Sequence, residues 1–547
     1  MPPIQDSESR PRVTLLQGTV VGINPARRLP QTRGRLSRHS LRPAADGGPA
    51  VPPAGPSRAS RAGRGREDHN RRLPVRPARA GEAVPDHRPA ARGERGLSHA
   101  NVFRQAGHTG DTSCQLLPVA IYMHGGAFNR GNAAMHDTAS MVGCLSAREG
   151  ALNIGLKDQI LMMEWVRDNI DLFGGDKDNV TLIGLSAGAH SIGHHLLNYE
   201  EGKPPLFHRV VMESGAPTSR AVRHFDAEIH EQQFRDFLAA VQCPPDTPES
   251  EIFQYLRSLP IDVIAAAQTN VFYAYNPSLR WAFQPVIDGA IIRQRPIDAW
   301  RKGEWHRMPI LTGFNGNEGS LYVDKQMDTS EQFTAFWKTL LPQLGDADVA
   351  TINELYPDPT TDPSSPYKVE GTPLAEKGVG RMYKRIEAAY AHYAYVAPAR
   401  QTAHLAGSQP GAPVYLYHWA LEKSVVNGAA HGENMLYEVR DPDVCRVSPA
   451  QDELSRVLHA YVTSFICTGD PNEVVGDGVE RPRWEAHSSG DRDTKMKMVF
   501  GKRNKEFVGG SESGGSDKPP PPAELVEDVW AKTESDFWWD KVEISQQ

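Results

Sequence analysis

The stretch NVTLIGLSAGAH, residues 179–190, decides the fold of this chain. Its apolar, strand-like first half runs directly into Ser186, which stands between Gly184 and Gly188 in a Gly-x-Ser-x-Gly pattern. A strand that turns at once into a helix needs small residues on both sides of the corner, and the corner serine is held strained and exposed, as suits a nucleophile. The pattern alone is weak in a chain with 48 glycines, so the surrounding sequence has to supply its context.

Apolar periodicity on both sides of this stretch predicts alternating strands and helices. Residues 119–123 and 209–212 are strand-like, and residues 156–170 place five apolar side chains on one helical stripe. Two further strand-like segments, within 308–319 and 413–419, end near polar loops, and a long amphipathic helix follows towards the C-terminus. Strand–helix–strand alternation predicts an α/β fold, with a mostly parallel central sheet and helices on both faces.

The composition is typical of a soluble globular protein. The 547 residues are 39% hydrophobic and 23% charged, and no apolar run approaches the roughly 18 residues of a membrane span. The N-terminal residues MPPIQDSESRPR lack the apolar core of a signal peptide, and the 5 cysteines form no C-x-x-C pair. These features predict a cytoplasmic protein with free thiols.

Residues 26–96 differ in character from the rest of the chain. They contain 17 Arg against 6 acidic residues and no Lys, Ile, Phe, Tyr, Trp, Met or Cys, whereas the whole chain has a formal charge of -7. Because so little apolar surface does not offset the entropy of ordering, disorder is predicted here. One interpretation is an arginine-rich arm for nucleic acid. Because lysines and stacking aromatics are absent, we prefer non-native sequence and expect no nucleic acid partner. Residues 509–523, rich in Gly, Ser and Pro, predict a flexible stretch.

A serine nucleophile requires a base, an acid that orients the base, and hydrogen-bond donors for the oxyanion. In the segment HGGAF, Gly125 and Gly126 leave backbone amides bare at the end of a strand. The amide of Ala187, at the start of the helix after Ser186, is the expected second contributor. An ordinary turn is the alternative for HGG taken alone, and the serine corner favours the oxyanion interpretation.

Candidates for the acid and the base follow later in the chain, in the order serine, acid, histidine. Glu318 lies between Asn317 and Gly319 after the strand of ILTGFNGNEGS, where small neighbours allow close approach to an imidazole. His431, in NGAAHGENMLYEV, is also surrounded by small residues. Each has an ordinary alternative, since a single loop glutamate usually lies on the surface and the chain has 20 histidines.

Two further groups of side chains are candidates for a site. His190 and His194 have the i, i+4 spacing of a metal pair, but without a third ligand we prefer simple packing and expect no metal. Five aromatic residues near the motifs either line an apolar acyl or alcohol pocket or belong to the core: Phe128, Trp281, Phe283, Phe314 and Tyr437.

Seven segments in the same order resemble the type-B carboxylesterase/lipase family, which includes cholinesterases and fungal lipases. They are HGGAFNRG, NIGLKDQILMMEWVRDNIDLFGGDKDNVTLIGLSAGAHS, VVMESGAP, PVIDG, GFNGNEG, HGENMLYEV and FICTGDPN. The resemblance covers about residues 97–505 and the strand pair at 13–24, and it implies the α/β-hydrolase fold. The predicted organisation is then an N-terminal strand pair in residues 1–25, the unusual segment 26–96, and a hydrolase domain over 97–547.

The resemblance also assigns roles to individual residues. The matched positions are Ser186 for the nucleophile, Glu318 for the acid, His431 for the base, and Gly125, Gly126, Ala127 and Ala187 for the oxyanion hole. It implies hydrolysis of a small-molecule carboxylic ester through an acyl-enzyme, with no metal or organic cofactor. Because imidazole titrates near pH ~6.5, activity is expected to rise from mildly acid to neutral pH.

The sequence departs from the family pattern in two places. The GIPYA-like and EDCL-like segments that usually follow the strand pair are absent, and the segment 26–96 stands there. The strand that usually separates HGGAF from NIGLKDQ is also missing, which is expected to leave unpaired ladder groups and exposed apolar side chains. Cys243 stands where secreted relatives often close a disulfide loop, and Tyr255 lies near the second position. Two alternatives therefore stay open: a catalytically inactive cholinesterase-like binding protein, and a truncated, non-functional esterase.

Overall fold

The computed structural model describes residue 102 and residues 116–129, 152–220, 222–474, 478–487, 495–510 and 519–545, together with the backbone of six short N-terminal strands. These strands are β1 (Arg12–Leu15), β2 (Gly18–Ile23), β3 (Arg33–Leu36), β4 (His39–Leu41), β5 (Ser98–Ala100) and β6 (Phe103–Gln105). They form a four-stranded sheet in the order β1-β2-β3-β6 and a separate β4–β5 ladder. The segment 26–96, for which disorder is predicted, thus contains β3 and β4, and its other residues lie outside the described part of the chain.

A seven-stranded sheet forms the centre of the described chain, and its strands follow one another in sequence order across the sheet. They are β7 (Leu117–Met123), β8 (Gly175–Leu185), β9 (Arg209–Glu213), β10 (Ile310–Asn315), β11 (Val414–Trp419), β12 (Met496–Phe500) and β13 (Ala523–Glu527). Strands β7 to β12 run parallel, and β13 pairs antiparallel with β12. Every residue of β10 and β11 is buried, as expected of central strands covered on both faces. The predicted α/β fold with a mostly parallel sheet is therefore confirmed.

Helices cover both faces of this sheet, and other helices pack with one another in a separate hydrophobic core. In the described chain they are α1 (Ile154–Asn169), α2 (Ala187–Leu197), α3 (Glu228–Ala240), α4 (Glu249–Ser258), α5 (Ile261–Tyr275), α6 (Pro296–Lys302), α7 (Ser330–Leu340), α8 (Asp346–Leu355), α9 (Tyr383–Ala391), α10 (Ala397–Gly407), α11 (Asn434–Glu438), α12 (Pro442–Cys445), α13 (Pro449–Thr468), α14 (Lys532–Asp540) and α15 (Val542–Ser545).

Alternate residues along β9 enter opposite cores, as the two-residue period of a strand requires. Val210 and Met212 pack with side chains of α1, α2 and α10. Val211 packs on the other face with side chains of α13. The carboxyl ends of β8, β9, β10 and β11 meet at one edge of the sheet, which is where open parallel sheets place their ligand sites.

The last two strands are absent from the sequence prediction, and a buried charge explains why. Strand β12 contains Lys497, whose ammonium lies 2.9 Å from the Asp528 carboxylate. The Arg400 guanidinium contacts the same carboxylate at 2.9 Å. A lysine in a short segment normally indicates that the segment is exposed to solvent. Here the ion pair with Asp528 allows Lys497 to be buried.

Strand β7 forms one edge of the central sheet, with β8 as its only partner among the described residues. Two of its apolar side chains reach solvent, since Leu117 is 40% and Tyr122 is 52% exposed. A missing neighbouring strand is expected to leave such an edge, but residues 130–151, where that strand would stand, lie outside the described part of the chain.

A π-helical turn, His392–Val396, joins α9 to α10 in one continuous helix. Pro398 lies at the start of α10. Proline has no N–H, and its ring clashes with the carbonyl four residues earlier in an ordinary α-helix. The wider π turn accommodates that carbonyl, and it contributes Tyr395 to the candidate site.

None of the helices in the described ranges combines the length and the apolar character that crossing a membrane requires. The free thiols of the described chain are Cys243, Cys445 and Cys467, as the sequence predicts; the other two cysteines lie outside the described residues. The Tyr255 hydroxyl donates to the Gln242 carbonyl at 3.1 Å, immediately beside Cys243.

Candidate active site

Ser186 forms the corner between β8 and α2. Its backbone has φ 58° and ψ −124°, a conformation that residues other than glycine rarely adopt. Its amide donates to the carbonyl of Glu213, the last residue of β9, at 2.9 Å. The predicted strain is therefore present. The predicted exposure is wrong, because only 6% of Ser186 is accessible in a site that aromatic rings cover.

The flanking glycines allow close approach of three backbone segments at this corner. A Cβ on Gly188 would lie 2.0 Å from the carbonyl oxygen of Met123, at the end of β7. A Cβ on Gly184 would lie 2.6 Å from the carbonyl carbon of Gly188. No side chain fits at either distance, which explains why the pattern requires glycine on both sides of the serine.

Glu318 and His431 are brought together across 113 residues of sequence. The Oε2 atom of Glu318 lies 2.5 Å from Nδ1 of His431, and Glu318 is fully buried. Its other oxygen, Oε1, accepts the backbone N–H of Asn315 at 2.6 Å. The Asn315 side chain in turn donates to the carbonyl of Ala430 at 2.6 Å. The loops that carry the two candidate residues are thus tied to each other through Asn315, at the end of β10.

His431 and Ser186 are neighbours that are not hydrogen-bonded in this structure. The Nε2 atom of His431 is buried and has no hydrogen-bond partner among the described residues. A Cβ on Gly432, the residue after His431, would lie 2.9 Å from the side chain of Leu185, the residue before Ser186. The imidazole therefore lies near the serine corner with its second nitrogen unoccupied.

The predicted oxyanion loop lies directly against Ser186. A Cβ on Gly125 would be 3.1 Å from the Cβ of Ser186. Gly126 has φ 122° and Ala127 has φ 54°, so the chain turns through conformations that expose its amides. The Ala127 carbonyl accepts the Gln284 side-chain amide at 3.0 Å, which fixes the peptide orientation. Among the described residues, no backbone carbonyl accepts a hydrogen bond from the N–H group of Gly126 or Ala127. Both N–H groups therefore remain available to a ligand.

Tyrosine rings cover His431, and sequence analysis missed them. The centroid of the Tyr395 ring lies 4.7 Å from that of the imidazole, and the Tyr322 centroid lies 5.3 Å away. Burial raises the pKa of Tyr322, although Arg220 and hydrogen bonds to Tyr395 and Ser186 lower it in part. The hydroxyl of Tyr322 therefore lies beside the candidate nucleophile. No local pattern marks either tyrosine in the sequence.

The aromatic candidates divide between the site and the core. The Phe128 ring stacks on His190 at a centroid distance of 6.2 Å, next to the serine corner. Phe314 is fully buried and stacks on Trp530, so it belongs to the core. His190 and His194 are each 3% exposed and packed in α2, consistent with the packing interpretation. Trp281 also borders the site, whereas Phe283 and Tyr437 are core residues.

A buried carboxyl pair lies behind the catalytic candidates and was also missed. Glu213 is 2% and Glu438 is 7% exposed, and their carboxyl groups lie close enough to share a proton. Oε1 of Glu213 accepts the Asn434 amide at 2.7 Å and the Tyr417 hydroxyl at 3.0 Å. The Oε2 atoms of Glu213 and Glu438 have no donor among the described residues. A proton shared between the two carboxyl groups satisfies both.

This pair makes stability depend on pH. Burial is the main cause that raises the pKa of both carboxyls, that of Glu213 to about 7. The unfolded chain loses these protons near pH ~4.3, so above that pH the folded state binds more protons than the unfolded state, and stability falls as pH rises towards neutral and beyond. We therefore expect the protein to be less stable at about pH 8 than at about pH 5.

The variant Glu438→Gln tests this expectation. Its amide can donate to Glu213 permanently, so the decrease of the unfolding temperature between about pH 5 and 8 should become smaller than in the parent chain. Thermal unfolding of both proteins across that pH range measures the effect. Identical pH dependence in the two proteins would contradict the shared proton.

A strained serine beside paired carboxylate and imidazole, at the carboxyl edge of a parallel sheet, defines an α/β-hydrolase of the serine hydrolase class. Residues 142–508 match the model of the carboxylesterase family, and the chain belongs to that family. It is therefore a carboxylic ester hydrolase, and a small-molecule ester is its class of substrate.

Individual relatives agree with this assignment. The chain is 30% identical to secreted lipase 4 of Gibberella zeae over 425 residues, which cover 73% of each sequence. It is 27% identical to lipase 1 of Geotrichum candidum over 444 residues, again 73% of each. The crystal structure of Aspergillus niger EstA has a similar fold, with a TM-score of 0.64 at 20% identity over 82% of this chain and 84% of EstA.

Proposed function

We propose that the chain hydrolyses carboxylic esters through an acyl-enzyme on Ser186, with His431 as base and Glu318 as the orienting acid. His431 Nε2 takes the proton of the Ser186 hydroxyl as its oxygen attacks the ester carbonyl. The amides of Gly126, Ala127 and Ala187 stabilise the oxyanion. Protonated His431 then gives its proton to the leaving alcohol, and water attacks the acyl-enzyme with His431 again as base.

One observation carries this proposal. The buried Glu318 carboxylate lies 2.5 Å from Nδ1 of His431, while Nε2 of the same ring has no partner. A carboxylate on Nδ1 favours the tautomer with a proton there, which leaves Nε2 unprotonated to act as a base. The nucleophile, the base and the acid are all present, which disfavours an inactive binding protein.

The names of the relatives indicate only a broad class of substrate, lipids and other esters. Two are named lipases, and one of these is named as secreted. We therefore favour secretion over the cytoplasmic location that the N-terminal residues predict.

Covalent labelling tests the proposed nucleophile. A fluorophosphonate reacts with an activated serine and loses fluoride, so one phosphonyl group per chain should be found on the peptide that contains Ser186. Peptide mass spectrometry locates the label. Labelling of a different serine, or none on a folded protein that hydrolyses p-nitrophenyl butyrate, would refute the assignment.

A further inference from the structure

Among the described residues, Arg220 lies against the aromatic wall of the site, and no salt bridge joins it, Arg223 or Arg280 to a carboxylate. Within the described ranges, the charges that act on Arg220, Arg223 and Arg280 include no acidic side chain among their main contributors. Burial lowers the pKa of Arg223 to about 10, and repulsion from Arg280 adds to the lowering. A desolvated guanidinium in a protein is normally paired with an anion, so the unpaired state of Arg220 is unusual.

Arg220 is the member nearest the catalytic candidates. Its guanidinium carbon lies 3.8 Å from the centroid of the Trp281 ring, and its Nη2 donates to the Tyr395 hydroxyl. Its Nε is buried without a partner. A guanidinium has five N–H donors in its plane. The Trp281 ring covers one face of the guanidinium, and the Nε donor in the guanidinium plane stays unsatisfied among the described residues.

Two tyrosines connect Arg220 to the base. Its guanidinium carbon lies 5.5 Å from the Tyr395 ring centroid and 5.6 Å from that of Tyr322. The same two rings contact the imidazole of His431 at 4.7 and 5.3 Å. The cation is therefore separated from the reacting atoms by the thickness of one aromatic side chain.

We infer that Arg220 binds a carboxylate carried by the substrate, so that the enzyme acts on half-esters of dicarboxylic acids. This inference rests on the proposed function of the same site. A guanidinium that is desolvated and lacks an anion gains a strong, charge-assisted pair when a carboxylate arrives. A neutral ester of the same length leaves the cation unpaired.

The test compares two esters of equal chain length, monoethyl glutarate and ethyl pentanoate, by titrating the acid released at constant pH. In the parent enzyme, kcat/KM should favour the half-ester about 10- to 100-fold, the size of a hydrogen bond to a charged group. Arg220→Gln should bring that ratio close to one. Arg235→Gln removes an exposed arginine of α3, and as the matched control it should keep the parent ratio.

Each outcome decides the inference. A parent enzyme that turns over both esters equally, or prefers ethyl pentanoate, overturns it whether or not Arg220→Gln folds. A ratio that is unchanged in a folded Arg220→Gln overturns it as well. If p-nitrophenyl butyrate is cleaved in a Ser186-dependent manner and neither ethyl ester is, the inference fails alone. If p-nitrophenyl butyrate is not cleaved in that manner either, the proposed function fails as well, so the two failures are distinguishable.

Discussion

Replacing Ser186 with alanine should lower kcat for p-nitrophenyl butyrate about 10⁴- to 10⁶-fold, because the covalent route through the acyl-enzyme disappears. The residual rate should reflect binding and the oxyanion donors alone. Stability should change little, because the hydroxyl is lost from a corner whose φ of 58° comes from the backbone and its flanking glycines. Steady-state kinetics and thermal unfolding measure the two quantities.

The matched control is Ser191→Ala, in the same helix that follows the corner. The Ser191 hydroxyl is buried and donates to the Ala187 carbonyl at 2.9 Å, so its removal tests for general damage to α2. It should retain kcat within about one order of magnitude. Comparable kcat in Ser186→Ala and Ser191→Ala would rule out Ser186 as the nucleophile.

Replacing Glu318 with glutamine should lower kcat about 10³- to 10⁴-fold while the fold is retained. Both carboxylate oxygens accept hydrogen bonds, one from His431 Nδ1 at 2.5 Å and one from the Asn315 N–H at 2.6 Å. A glutamine places its NH₂ group at one of these positions. Facing His431, it imposes the tautomer with the proton on Nε2; facing Asn315, it opposes one donor with another.

The control for this effect is Glu433→Gln, which changes a half-buried glutamate close to His431. Glu433 accepts one bond, from the Ala430 N–H at 2.9 Å, and burial raises its pKa to about 7. Glutamine resembles its protonated form and keeps an acceptor for Ala430, so we expect kcat within about tenfold of the parent. If Glu318→Gln were equally mild, Glu318 would not be the orienting acid.

Periodic patterns made most of the central fold predictable. The stripe over residues 156–170 corresponds to α1, and the apolar segments around Ser186 correspond to β7, β8 and β9. Strand β12 was missed because its lysine is buried only through Asp528, a contact that no local window contains. A short sequence pattern predicts a buried strand only when the strand's own residues are apolar and need no distant partner to be buried.

The candidate site was predictable to the extent that motifs carry it. Ser186, Glu318 and His431 stand in recognisable segments, and the structure brings Glu318 and His431 together. The Glu213–Glu438 pair joins residues far apart in sequence, and either one alone resembles an ordinary glutamate. The sequence also does not predict that Arg220 is unpaired, because this depends on which side chains surround it in the folded chain. The sequence therefore predicts functional residues that stand in local motifs, and it does not predict charged pairs or unpaired groups that arise from tertiary contacts.

The π turn at His392–Val396 makes the wall of the site sensitive to chain length. Each residue of a helix advances the side-chain direction by about 100°, so a one-residue deletion there, restoring a plain α-helix, would rotate Tyr390 relative to all of α10. Tyr395, which touches both the imidazole and the guanidinium of Arg220, could not keep both contacts. Insertions and deletions at this junction can therefore change the substrate pocket during evolution while Ser186, Glu318 and His431 stay the same.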